Sequence, residues 1–313
     1  MKDRNFGVEL FRIICMLAIC MQHAVYFSET GAKGFEGRFW NFGVVGFALI
    51  TGYYGVSFKV GKIVKLWSTA FVCAGVALAL GTIRGDGGGG YVDLLCNNWY
   101  LNGYTVLILL SPLLNAALDN LYSSTDREKF RLAMVAVILL ICWSWLQELY
   151  GIRDFMPLVA GLGSKSFMTL SYVYIVGRCL RQYGMPQFII YHRVSILAGC
   201  LFLIPVLGSY NSPVTILFTV LLFLLFERIK VSESYRRIIN LIVPSLFAVY
   251  LLHTNSVGFE LIEKVCKSHI VEGMPRYISY VMCVSLVFGG CLILDCPRRL
   301  LSRIMSRYVR NGI

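Results

Sequence analysis

Ten apolar stretches, each close to the length that crosses a bilayer, dominate this chain of 313 residues. They fall at roughly 6–27, 38–57, 63–83, 94–115, 131–149, 166–183, 188–208, 213–227, 238–257 and 275–295. The composition agrees: 57% of residues are hydrophobic, 15% are charged, and the mean hydropathy is +0.68. No soluble domain needs that much apolar surface. Backbone polar groups in lipid must be satisfied within the segment, which helices do. The expected fold class is therefore all-α: a polytopic membrane helical bundle of about ten transmembrane helices. Residues 1–296 form the expected transmembrane domain, and 297–313 a basic cytoplasmic tail suited to the inner leaflet.

A net charge of +12 raises the question of nucleic acid, but the basic residues lie in short clusters between apolar runs. That pattern reads as topology signals and headgroup contacts, with the lipid bilayer and not nucleic acid as the partner. Ten spans put both termini on one side. Of the 29 Lys and Arg residues, 20 then fall on the side of the termini and eight on the other, with Arg12 inside the first span. Such a split places the N and C termini in the cytoplasm. The eleven cysteines are scattered, mostly within spans, and read as small apolar fillers. They imply neither a disulfide framework nor a zinc site, although Cys96 and Cys266 could meet on the outer side. Gly87 to Gly90 lack a following Lys-Ser/Thr and read as a flexible linker.

With no long hydrophilic stretch, any chemistry belongs to the helices and their short connections. The first span carries Glu9, Arg12 and His23. Ionisable residues are costly in a membrane and are functional candidates by default. Arg12 and His23 stand about 16 Å apart along a helix, roughly half the hydrocarbon core. Glu9 lies three residues before Arg12 and can pair with it. That pair either makes both residues tolerable in lipid or aims a guanidinium at a carbonyl or phosphate.

The ninth span holds Ser245, Tyr250 and His253 and runs in the same direction as the first, so His253 reaches a depth similar to His23. Two level imidazoles suit general acid–base work; each could instead simply bond a backbone carbonyl. No third ligand has the spacing of a metal site, so none is expected. Lys59, Lys62 and Lys65 form a cluster that either sets topology or holds phosphates. Trp99, Tyr100 and Asn102 open the fourth span, where aromatics serve as interfacial anchors or as a sugar platform.

With these residues placed, the chain resembles the acyltransferase-3 family of integral membrane O-acyltransferases over most of its length. An arginine, ten residues and a histidine in the first span are matched by Arg12 and His23, and Glu9 matches an acidic position before that arginine. Thr51-Gly52-Tyr53 looks like the second-span Ser-Gly-Phe/Tyr element. Trp99-Tyr-Leu with Leu110-Ser-Pro-Leu-Leu-Asn115, and Ser245 to His253, are similar to later signatures. An Arg-x-x-Arg pair associated with acyl-CoA is here Lys62-x-x-Lys65, which keeps charge but loses bidentate geometry.

The resemblance implies an O-acyltransferase of the bacterial cytoplasmic membrane. It would move an acyl group, most often acetyl, from acyl-CoA to a hydroxyl of a cell-surface polysaccharide or glycolipid. It has no bound cofactor, since acetyl-CoA is the donor substrate. On that reading His23 is general base or brief acyl acceptor, and Arg12, with Glu9, positions the donor. His253, Tyr250, Ser245, Trp99, Tyr100 and Asn102 bind the acceptor, and the three lysines hold CoA. A glycolipid or acyl-carrier transporter or flippase, and a non-catalytic partner of polysaccharide-assembly proteins, remain the competing expectations.

Overall fold

The computed structural model describes residues 4–27, 35–83, 95, 98–123, 127–149, 165–266 and 275–310. The glycine run, Cys96 and His269 lie outside the described residues. The fold is all-α. In chain order the helices are α1 (Phe6–Phe27), α2 (Phe35–Phe39), α3 (Phe42–Tyr54), α4 (Val60–Ile83), α5 (Trp99–Ser123), α6 (Arg127–Leu149) and α7 (Phe167–Tyr183). They continue as α8 (Gln187–Tyr191), α9 (Arg193–Leu207), α10 (Pro213–Glu227), α11 (Glu233–Ile242), α12 (Leu246–His253), α13 (Ser256–Cys266) and α14 (Arg276–Arg310).

Each apolar run contains helix, but among the described residues six spans, not ten, are long and apolar enough to cross a membrane. They are Phe6–Tyr26, Val60–Ile83, Trp99–Ser123, Glu128–Leu146, Glu233–His253 and Tyr277–Ser302. These make the chain an integral membrane protein. The other four runs are helices of 13, 17, 15 and 15 residues. At about 1.5 Å per residue each falls short of a ~30 Å core. Local signals stop them. Gly55 and Gly184 end α3 and α7 at φ of 73° and 70°, which only glycine adopts without strain. Pro213 starts α10 at a first-turn position that needs no N–H.

The chain divides into two compact units. One comprises Met1–Lys33, Val64–Asn98 and Ile229–Ile313; the other comprises Gly34–Ile63 and Trp99–Arg228. In the first, α1 is the central element. Asn5 caps it by accepting from the Gly7 and Val8 N–H groups at 3.0 and 3.2 Å. Glu9 sits in its first turn, where the helix dipole favours an anion. Some 61% of its apolar window is buried, against 28% for α4, so α1 is core where α4 keeps a lipid-facing side. Helices α11 to α14 pack around α1.

The run expected as one span over 238–257 is jointed: a 3-10 turn at Val243–Ser245, carrying Pro244, separates α11 from α12. The expected spans 238–257 and 275–295 leave 258–274 between them, and this stretch begins within α13. Its apolar residues Val257, Leu261, Ile262 and Val265 follow helical spacing. Cys266, at its end, has its Sγ 2.9 Å from that of Cys283, and both thiols are free.

In the second unit α3 and α7 cross with their backbones in contact. A Cβ on Gly52 would lie 2.2 Å from the Tyr174 carbonyl oxygen, and one on Gly177 would lie 2.5 Å from that of Leu49. Small residues at such crossings give membrane helices their packing energy. The Tyr174 hydroxyl donates to Asn115 Oδ1 (2.6 Å), while Asn115 Nδ2 donates to the Val56 carbonyl (2.8 Å). These bonds fix the segment that leads to Lys59 and Lys62.

Candidate functional site

The first unit brings His23 and His253 together, with ring centroids 5.1 Å apart and planes inclined at 48°. His23 lies near the end of α1 and His253 is the last residue of α12. His253 is 1% exposed. Its Nδ1 lies 2.7 Å from the Val249 carbonyl oxygen. A carbonyl can only accept, so Nδ1 carries the proton and donates. Nε2 of the neutral ring is then left with its lone pair. It is buried and has no hydrogen-bond partner among the described residues. A buried polar atom without a partner is uncommon and asks for an explanation; a substrate is one. The Phe259 ring meets His23 edge-on at 5.1 Å, and Tyr250 meets His253 at 6.0 Å.

A two-way cap builds this arrangement. Asn255 Nδ2 donates to the carbonyls of Leu251 (3.1 Å) and Leu252 (3.0 Å), closing α12. Its Oδ1 accepts from the Gly258 N–H at 2.7 Å, opening α13. A Cβ on Gly258 would stand 2.2 Å from the Leu252 carbonyl oxygen, so only glycine lets α13 fold back this tightly. The turn sets Phe259 against His23. Asn255→Ala is expected to cost about 0.5–2 kcal/mol, seen as a lower thermal midpoint in detergent, since both caps are lost at once.

Gly258 and Phe259 escaped the sequence reading because they follow the expected span 238–257, and Asn255 because it lies inside that span. An Asn three residues before a Gly, opening a helical apolar pattern, was the available signal.

Glu9 and Arg12 form a separate cluster toward the start of α1. Glu9, 7% exposed, takes Arg4 Nε at 3.0 Å and Arg12 Nη1 at 3.2 Å. Arg4 Nη1 also donates to Asn240 Oδ1 at 2.6 Å. Arg4 and Arg236 both lie over the Phe6 ring. On an unbroken helix this cluster is about 16 Å from His23 and does not touch the imidazoles. Ser245 is likewise distant, about 12 Å along the chain from His253 by helical rise, and accepts from Arg299 Nη1 at 3.3 Å.

Lys59, Lys62 and Lys65 are exposed at the start of α4, and Lys62 Nζ donates to the Ser57 carbonyl at 3.1 Å. Trp99, Tyr100 and Asn102 belong to the second unit. There Trp99 lies 5.6 Å from Tyr210, and Tyr100 stacks on Tyr104 at 6.0 Å. That unit also holds cations not singled out from sequence. Arg178 pairs with Asp119 at 3.0 Å, and Arg181 donates to the Tyr53 hydroxyl at 3.1 Å, which itself donates to Glu227 at 2.6 Å.

Among the described residues no three His, Cys, Asp or Glu side chains converge as metal ligands. Comparison with family models, with curated proteins and with solved structures returned no match.

Proposed function

We propose that this protein is a membrane O-acyltransferase that carries an acyl group from acyl-CoA to a hydroxyl of a cell-surface polysaccharide or glycolipid. The observation that carries the reading is the pair His23–His253, with a buried imidazole whose Nε2 has a lone pair and no partner among the described residues. In the proposed step Nε2 of His253 accepts the acceptor hydroxyl's proton as its oxygen attacks the thioester carbonyl. The new C–O bond forms, the C–S bond breaks, and the CoA sulfur leaves with that proton. His23, at the same depth, contacts the carbonyl oxygen as negative charge develops on it. Tyr250 flanks the pair.

In this reading Lys59, Lys62 and Lys65 are the donor's phosphate contacts. Lys65 and Ala77 lie on the same helix, about 18 Å apart by helical rise, a path along which a pantetheine arm can extend. Arg12, oriented by Glu9, meets the donor below the imidazoles. Acetyl is the first acyl group to try, and the bacterial cytoplasmic membrane the expected location, beside the machinery of polysaccharide assembly.

The intramembrane ion pairs of Glu9 would also suit a proton-coupled carrier for a glycolipid or acyl carrier. One experiment separates the two. Purified protein in vesicles receives labelled acetyl-CoA with and without a bacterial surface-glycan fraction. Glycan-dependent CoA release with a new ester supports the transferase. Label accumulating in the lumen without an ester supports the carrier and ends the transferase reading.

A further inference from the structure

A cavity of about 190 Å³ lies in the first unit beside the imidazole pair, with His253 in its wall. Ala77 and Leu80 of α4, Leu261 of α13, and Leu286, Gly290 and Leu294 of α14 line it. Apart from His253, Asn255 and the Cys291 thiol, every lining residue is apolar or glycine. A comparably apolar cavity of about 150 Å³ accommodates benzene, so this one has room for a chain of roughly six carbons. An acetyl group would leave most of it empty.

We infer that this cavity is an acyl-chain site, and that the donor carries a medium-length saturated acyl group of about four to seven carbons with its thioester at His253. The inference rests on the acyltransferase reading and names its substrate class. Two further observations favour an acyl chain that ends at His253 over a bilayer lipid tail. First, His253 stands in this otherwise largely apolar wall, a polar side chain that the reacting end of an acyl chain can use and a bilayer hydrocarbon cannot. Second, two glycines shape the space differently. Gly258 is filled by neighbouring backbone, with the Leu252 carbonyl oxygen 2.2 Å from its Cβ position. Gly290 has nothing within 4 Å of its Cβ position, so the absence of a side chain there leaves room. Gly289, its neighbour, has equal freedom but takes no part in the cavity wall.

The test is equilibrium binding of labelled CoA, acetyl-CoA, hexanoyl-CoA and dodecanoyl-CoA to the purified full chain in detergent. Each buried methylene strengthens binding by about fourfold. Hexanoyl-CoA is therefore expected to bind at least about tenfold more tightly than acetyl-CoA. Dodecanoyl-CoA, too long for the space, should gain nothing further. Gly290→Leu should abolish the hexanoyl advantage and leave acetyl-CoA binding within about twofold, with Gly290→Ala falling between. Gly289→Leu should retain the wild-type preference. Equal binding of acetyl-CoA and hexanoyl-CoA, or identical behaviour of Gly290→Leu and Gly289→Leu, overturns the chain site and leaves the transferase reading standing. Failure of every CoA derivative to bind overturns both.

Discussion

His253→Ala is expected to slow acyl transfer by about 10²- to 10⁴-fold, the range that a positioned general base supplies. The size of the effect follows from geometry. The Val249 carbonyl fixes the tautomer, so Nε2 is held as a proton acceptor before substrate arrives, and no other described side chain competes for it. His23→Ala should fall in the same range. Because the two rings are 5.1 Å apart and serve one reacting group, the double variant should be little worse than either single one. Donor binding should change far less than turnover in all three. The measurement is CoA release by purified protein, with melting temperature recorded alongside to exclude misfolding. A His253→Ala enzyme working at the wild-type rate would remove the imidazole pair from the chemistry.

The largest expected effect on stability belongs to Arg298→Ala. Asp295 has a side chain only 1% exposed, and Arg298 grips it with Nε at 2.5 Å and Nη2 at 2.9 Å. Arg298 Nη2 also reaches the Pro244 carbonyl at 3.4 Å, and Arg299 Nη1 donates to that of Leu241 at 2.6 Å. These bonds tie α14 to the joint between α11 and α12, where a proline has removed a helical N–H. Truncating the arginine strands a buried carboxylate, a loss of about 3–5 kcal/mol. The thermal midpoint in detergent should drop by several degrees. Removing both charges with apolar side chains, as Asp295→Leu with Arg298→Met, should recover most of it. If the single and double variants melt together, the stranded-charge explanation is wrong.

How much of this was legible in advance depended on range along the chain. The unbroken α1 and the pairing of Glu9 with Arg12 are local and follow from helical spacing. The closeness of His23 and His253 was foreshadowed by their matching places in two apolar runs expected to point the same way. What escaped needed either exact stops or distant partners. Four apolar runs looked long enough to span, yet Gly55, Gly184 and the Ser212-Pro213 start cut them to 13–17 residues. Arg4 as a second partner of Glu9, and the clamp of Arg298 on Asp295 beneath Pro244, depend on packing between elements distant in sequence. The place of Ser245, beside Arg299 and away from the imidazoles, depends on the joint at Pro244.

Helix α14 carries a consequence of another sort. Its 35 residues make a rod about 52 Å long, against a hydrocarbon layer of ~30 Å. Even a lean of about 40°, the steep end of what spanning helices adopt, leaves roughly 10 Å outside. Pro297 sits 21 residues from the start, about 32 Å along the rod. Having no N–H, it deprives the Ile293 carbonyl of its helical partner, which hydrocarbon cannot replace and water can. The boundary expected from sequence at 297 is thus not a break in the rod. The proline marks a waterline on it.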